Sequence, residues 1–359
     1  MGYANWVYLF FILTVILAYT VASDHISAQR HAYYFFSYCV IIYIIIKSLA
    51  DEKKIRMFVA WIGVFAASLS IRAMSDGKFV KDRLEKFGPS DANSSNEFAV
   101  VLAATIPLLL PFILKGNKFE KIFGIISIII LLHTFILCAS RGAFVSLVFA
   151  CLYTYFFLAS AKMKKVLLIM AFMFAPIFLV MSNADFRSRM ATIWEYEEKS
   201  EVSLNELSSG RVETWIAGLN MIKDHPMGVG PDGFRALSRF YINEASLTQN
   251  NKYDYPVKAA HNSYLQVAVE QGLFGLFVYC IICFGSLYAM FKKAHHLRKI
   301  DDNSFFGAMV VAVNMSLFAV IAGGMFGAQV YFEFFWWVIA LSVVAISFDK
   351  ANNVQHHTE

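Results

Sequence analysis

Charge is scarce in this sequence. Only 16% of its 359 residues are Asp, Glu, Lys or Arg, against about 25% in a typical soluble domain. The shortage also excludes a disordered chain, which needs low hydrophobicity and high charge. Cysteine is limited to Cys39, Cys138, Cys151, Cys280 and Cys283, all in apolar runs. They read as small buried side chains rather than a disulfide framework. Cys280 and Cys283 form a CxxC, but no second pair exists and Phe277, Val278, Ile281 and Ile282 around it are lipid-type residues. No HExxH or Cys/His set suggests a metal, and no internal repeat, heptad or nucleic-acid module is visible.

What is present is apolar. Hydrophobic residues make up 58%, with 35 Phe and 17 Tyr against 7 Pro, and the mean hydropathy is +0.55. This defines an all-α polytopic membrane protein. A spanning helix needs about 20 mostly apolar residues. By that rule ten spans are expected, at about 3–22, 32–50, 55–72, 97–114, 119–139, 142–160, 164–182, 262–291, 304–325 and 329–348. The first lacks Lys or Arg before it and is too long for a signal-peptide core, so it reads as an uncleaved helix.

The net charge of +5 acquires meaning once divided by topology. Alternate loops after spans 2, 4, 6 and 8 carry fourteen basic residues, among them Lys53, Lys54, Lys118, Lys164, Lys165, Lys292 and Lys293. The short loops on the other side carry seven. Positive-inside bias puts the first set, and both termini, in the cytoplasm. The long segment at about 183–260 then lies outside. It holds 9 Lys/Arg and 11 Asp/Glu, and a loop of that length is usually functional. Short amphipathic helices are expected within it. The chain divides into N-terminal helices and an outer loop at 1–96, a membrane domain at 97–350 and a cytoplasmic tail at 351–359.

Four pieces of sequence could carry chemistry. In Ser140-Arg141-Gly142, between spans 5 and 6, Arg141 is the lone charge between two apolar spans. An Arg at membrane depth is costly and faces a cavity or a partner; the plainer reading is an Arg snorkelling to the headgroups. In Ser209-Gly210-Arg211, the apolar residues that follow (Val212, Trp215, Ile216, Leu219, Ile222) have helical spacing, and the helix should stop before His225-Pro226. Its N-terminus beside Arg211 suits a phosphate, although an interfacial helix with a solvated Arg would look the same.

Gly228-Val229-Gly230-Pro231-Asp232-Gly233 is a literal GxGxxG. A dinucleotide site would need a preceding strand and a βαβ unit, whereas here a helix and a Pro precede it. A tight turn that brings Gly228 and Gly230 backbone near the site is the better reading. Last, His261 stands at the entrance to span 8. Asn262, Gln266 and Glu270 follow at a spacing of four, which makes one polar stripe on a helix. Such a stripe should face the protein interior. His261 could act as a general base or simply anchor the helix.

Taken in this order, SRG, then GR…W, then HPMGVGPDGF and AHNSYLQVAVEQGLFG resemble the O-antigen ligase/polymerase superfamily. The resemblance covers about 97–350, and its specific part is 140–275. It implies a multi-span GT-C-type glycosyltransferase of the bacterial inner membrane, with its active site facing the periplasm. It implies an inverting, metal-independent reaction that needs no cofactor and moves a glycan from an undecaprenyl-diphosphate carrier. The acceptor would be a lipid A-core, a protein or another glycan. By matching motif, Arg141 and Arg211 hold the pyrophosphate and His261 helps to activate the acceptor. Gly228, Gly230, Asn262, Tyr264, Gln266 and Glu270 would line the substrate site. The alternative within the class is an O-antigen or exopolysaccharide polymerase. A transporter for an anionic lipid and a non-catalytic docking protein are the readings outside it. The spans found are fewer than ligases of this family commonly have.

Overall fold

A computed structural model of the chain describes residues 3–22, 24–80, 83–85, 94–181, 211–243, 247, 257–300 and 304–348. Residues 182–210 of the outer segment and the tail at 351–359 lie outside the described residues.

The elements are α1 (Tyr3–Thr20), α2 (His25–Ser48), α3 (Glu52–Asp76), β1 (Lys78–Val80), β2 (Arg83–Glu85), α4 (Ser95–Lys115), α5 (Lys118–Cys138), α6 (Arg141–Phe157) and α7 (Ala161–Met181). After the outer segment come α8 (Arg211–Asp224), α9 (Gly233–Tyr241), α10 (Ser263–Glu270), α11 (Gly272–Cys280), α12 (Ser286–Ile300), α13 (Phe305–Gly323) and α14 (Glu333–Ser347). A wide helical turn, Ile281–Gly285, joins α11 to α12, so the two run as one apolar helix over Gly272–Lys299. Among the described residues, that helix together with α2, α3, α4, α5 and α13 is long and apolar enough to cross a membrane. Phe11–Thr20, α6 and α14 are shorter apolar helices. The chain is therefore a largely helical, multi-pass membrane protein.

Three expectations need correction. The eighth span, placed at 262–291, is broken at Gln271–Gly272: residues Ser263–Glu270 form a separate short helix, and the long helix starts at Gly272. Residues Gln329–Tyr331 form one tight turn, so the final helix starts at Glu333 rather than near 329. The helical pattern is also interrupted by a small antiparallel hairpin, in which Phe79 pairs with Leu84.

The described chain forms two compact units. One comprises Met1–Val40, Ala184–Phe284 and Gly324–Phe332; the other comprises Ile41–Asn183, Gly285–Gly323 and Glu333–Glu359. In the second unit α4 is the central post. It is buried all round from Phe98 to Leu110 apart from Val101, as a helix surrounded by other helices should be. Close approach is built from glycines. A Cβ on Gly63 of α3 would come within 2.6 Å of Leu109. One on Gly124 of α5 would come within 2.9 Å of Ile113, and one on Gly323 of α13 within 2.7 Å of Val100. In lipid, where tails are as apolar as Leu, such packing rather than burial draws helices together. Pro107 and Pro111 sit inside α4. Each removes one backbone donor, a defect that neighbouring helices can cover.

The ends of the helices are set by local chemistry. Asn117 and Glu120 form a reciprocal capping box at the start of α5. Glu120 also pairs with Arg56 of α3, whose guanidinium lies 4.0 Å from the Phe305 ring centre. In α14, Trp337 Nε1 donates to Glu333 Oε1 at 3.1 Å. Glu333 thus has a structural partner one helical turn along its own helix.

Candidate functional site

In the first unit a small core of Met221, Val229, Phe234, Ala260 and Val269 joins α8, α9, α10 and the turn between them. Helix α8 starts at Arg211 and stops at Asp224, before His225-Pro226, as the sequence requires. Its buried face is not the apolar stripe read from spacing. Thr214, Ala217, Gly218 and Met221 are buried, whereas Ile216 and Leu219 are exposed. The small face is used because α10 crosses it closely: a Cβ on Gly218 would lie 2.6 Å from Leu265. Arg211 occupies the first turn, where the helix dipole favours an anion nearby. Its guanidinium stands 5.9 Å from the Phe326 ring centre.

The GxGxxG turn acts as a clamp on the end of α10. Val229 N donates to Val269 O and Gly230 N to Glu270 O, both at 3.0 Å. Leu273 N donates back to Pro226 O at 3.3 Å. The last carbonyls of α10, which a helix end leaves open, are thereby satisfied. The strands of the clamp are in backbone contact. A Cβ on Gly228 would lie 2.7 Å from both Glu270 O and Gly272 N, and one on Gly272 would lie 2.7 Å from Met227 C. Both have positive φ, +95° and +73°. The amides of Gly228 and Gly230 donate to His225 O and Glu270 O, so these glycines shape the site through the clamp.

His261 is held at the opposite end of α10. Asn262 caps the helix, its Oδ1 accepting from Tyr264 N and Leu265 N at 3.0 Å. Ser263 ties the same end to the segment after α13. Its N donates to Gly324 O at 2.7 Å, its Oγ donates to Gly327 O at 2.8 Å, and it accepts from Gln329 N at 2.7 Å. Tyr264 packs its ring against Tyr279 and Phe284. His261 is partly exposed, and Asn262 and Ser263 on its C-terminal side are fixed by these five hydrogen bonds.

The polar stripe does face inward: Asn262, Gln266 and Glu270 are all buried. It ends in a network that no local motif announces. Tyr331 donates to Glu270 Oε2, and Gln266 Nε2 donates to Oε1 at 3.2 Å. Asp232 N donates to the Tyr331 oxygen at 3.1 Å, and Ser27 Oγ donates to Asp232 Oδ2 at 2.6 Å. His31 Nδ1 lies 2.9 Å from Ser27 O and 3.9 Å from Asp232 Oδ2. A carbonyl can only accept, so Nδ1 carries the proton. Helix α10 lies outside the spanning helices. Burial, and then the charge of Asp232, push the Glu270 carboxyl up to about 8. Burial likewise holds the Tyr331 phenol well above its ordinary range. Ser27, His31, Asp232 and Tyr331 were not legible as site residues. The one available signal was Asp232, the acidic residue inside the glycine-rich turn.

Arg141 belongs to the second unit, where α5 turns sharply into α6. Ala139 ends α5 in the left-handed conformation, Ser140 caps α6, and Arg141 is the first helical residue. The corner is held from α4 and the hairpin. Asn96 Oδ1 accepts from Ser140 Oγ at 2.9 Å and from the Arg83 guanidinium at 2.7 Å. Arg83 also donates to Cys138 O at 3.2 Å. Arg83 and Asn96 are the other residues sequence reasoning missed. Arg83 counted only as one of the seven basic residues of the short outer loops, and Asn96 was not singled out.

Among the described residues three non-glycine positions have positive φ: Ala139 at 46°, Asp232 at 61° and His261 at 49°. Asp232 and His261 fall in motifs singled out by sequence, and Ala139 directly precedes Ser140-Arg141-Gly142. Such backbone costs about 1–3 kcal/mol and tends to concentrate at functional sites.

Fold and motifs together define a multi-pass membrane protein with a cationic corner in one unit and a rigid His-bearing helix in the other. Residues 126–280 match the family model described as O-antigen ligase. This segment, which encloses Arg141, Arg211 and His261, is similar to the O-antigen ligase/polymerase superfamily. No curated protein matches the chain.

Proposed function

We propose that the protein is a membrane glycosyltransferase that moves a glycan from an undecaprenyl-diphosphate carrier to an acceptor hydroxyl at the outer face of the inner membrane. The observation that carries this reading is the O-antigen ligase match over 126–280, which spans all four motifs. Supporting it are the strained residues Ala139, Asp232 and His261 at or beside three of those motifs.

Arg141 and Arg211 bind the diphosphate oxygens through bidentate, charge-assisted hydrogen bonds. The acceptor oxygen attacks the anomeric carbon while the bond from that carbon to the diphosphate breaks. The diphosphate leaves with the electron pair, and the guanidiniums stabilise the charge it gains. The hydroxyl proton passes to the His261 imidazole. Attack opposite the leaving group inverts the anomeric centre. The reaction on this reading needs no metal or other cofactor. The acceptor is a lipid A-core, a protein or a second lipid-linked glycan, and the last of these would make the enzyme a polymerase.

The test is transfer by purified, reconstituted protein supplied with a polyprenyl-diphosphate-linked glycan. Arg141→Ala, Arg211→Ala and His261→Ala should each abolish product while the protein still inserts. Wild-type product from all three would overturn the reading. Chain growth from donor alone would identify a polymerase.

A further inference from the structure

In the first unit, Arg211 begins α8 and His261 stands just ahead of α10. The two helices cross where Gly218 meets Leu265. Met221, the α8 residue of the shared core, lies on the far side of that crossing from Arg211. Arg211 stands seven residues before Gly218, about 10 Å along the axis at about 1.5 Å per residue. A rotation of about 6° at the crossing would therefore move Arg211 by about 1 Å. A displacement of that size can cost about 100-fold in rate. Glu213 accepts from Asn243 N at 3.1 Å, which ties the first turn of α8 to the end of α9 and not to α10.

The segment after α13 supplies a tie between the two helix ends. The chain turns at 324–326, and both arms of the turn are fastened to Ser263, two residues from His261. Ser263 N donates to Gly324 O at 2.7 Å and its Oγ donates to Gly327 O at 2.8 Å. Gln329 N donates to the same hydroxyl oxygen at 2.7 Å. Ser263, Gly324, Gly327 and Gln329 are all buried, so water does not compete for these bonds. Further along, Tyr331 donates to Glu270, the last residue of α10. The segment is thus held at both ends of that helix. Between the two fastened glycines, Phe326 presents its ring to Arg211, whose guanidinium carbon lies 5.9 Å from the ring centre, within cation–π range.

We propose that the 324–327 turn is a brace that sets the separation of Arg211 from His261, with Phe326 and Ser263 as its two positioning residues. Neither touches the reacting atoms; Phe326 acts through Arg211, and Ser263 acts through the turn and the start of α10. This rests on the proposed function, in which the diphosphate on Arg211 and the acceptor hydroxyl at His261 meet at one carbon.

Phe326→Leu keeps an apolar side chain and removes the ring face. In reconstituted full-length protein it should lower kcat by about 10–100-fold and leave KM for a polyprenyl-diphosphate-linked glycan within about threefold, because the guanidinium is present but displaced. Ser263→Ala should give the same split, and Phe326→Tyr, which retains the ring, should restore wild-type kcat. The double variant Ser263→Ala with Phe326→Leu should be no slower than the slower single one, since both act through one brace. Wild-type kcat in both single variants, equal losses with tyrosine and leucine at 326, or multiplied losses in the double variant would overturn the proposal. Modification of arginines by phenylglyoxal in nanodiscs, resolved by peptide mass spectrometry, reports the contact without turnover. Phe326→Leu and Ser263→Ala should raise the rate at Arg211 severalfold and leave Arg239, stacked on Phe240 at 4.6 Å, as in wild type. Unchanged reactivity of Arg211 in both variants would also overturn it. If wild type transfers no glycan but both variants release Arg211 to the reagent, the function fails and the brace stands. If transfer depends on Arg211 and His261 but neither variant alters it, the brace fails and the function stands.

Discussion

Gly228 and Gly272 meet backbone to backbone. A Cβ placed on Gly228 would lie 2.7 Å from the Gly272 nitrogen, and both residues hold positive φ. This contact lets the 226–230 turn reach the last carbonyls of α10, and it separates the His-bearing helix from the long apolar helix behind it.

Alanine at either glycine therefore meets a steric and a conformational penalty together. Gly228→Ala and Gly272→Ala should each lower stability by about 1–3 kcal/mol. Gly230→Ala should behave alike, since its Cβ would lie 2.4 Å from that of Ala22. Thermal unfolding of the detergent-solubilised protein checks this; unchanged midpoints in all three would contradict the clamp.

Ala139 predicts the opposite sign. It closes α5 at φ 46°, a conformation that costs an L-residue roughly 1–2 kcal/mol and glycine little. Ala139→Gly should raise the midpoint and leave the Asn96–Ser140 contact in place. A lower midpoint would show that the methyl group does necessary packing there.

Glu270 gives stability a pH dependence. Its folded carboxyl titrates at about 8 and an unfolded one near about 4.3. Between those values the folded state binds more protons, so stability is highest at the acid end and falls as pH rises through the folded value. Glu270→Gln imitates the neutral form and should flatten that slope. Unfolding midpoints across the same pH window, for wild type and variant, make the comparison.

Arg83 and Asn96 hold the corner from which Arg141 projects. Asn96→Ala or Arg83→Ala should lower glycan transfer by up to about 100-fold, because misplacement of a binding group by about 1 Å can cost that much. Insertion into the membrane should be unaffected. Kinetics on reconstituted protein would settle it, and wild-type rates in both variants would remove them from the site.

Much of the molecule was legible before folding, because lipid imposes simple rules. Long apolar runs must be helices when every backbone group needs an internal partner, and α3, α4, α5 and α13 lie close to where hydropathy placed them. The end of α8 before His225-Pro226 was equally plain, since proline restricts the residue before it. The inward-facing stripe Asn262–Gln266–Glu270 also followed from helical periodicity alone.

The rest depended on contacts between segments remote in sequence. Hydropathy runs on across Gln271–Gly272, so only the docked 226–230 turn reveals the break. Spacing put Ile216 and Leu219 of α8 in one apolar stripe without saying which face is buried, and the close crossing at Gly218 and Leu265 selected the small-residue face. Ser27, Asp232, Tyr331 and Glu270 become one hydrogen-bonded network only when α2, the glycine turn, the segment after α13 and α10 meet. Sequence thus determined which segments are helical and which residues carry charge at their ends. Tertiary structure decided which buried polar groups find each other, because an unpaired polar atom is costly and its partner can come from anywhere in the chain.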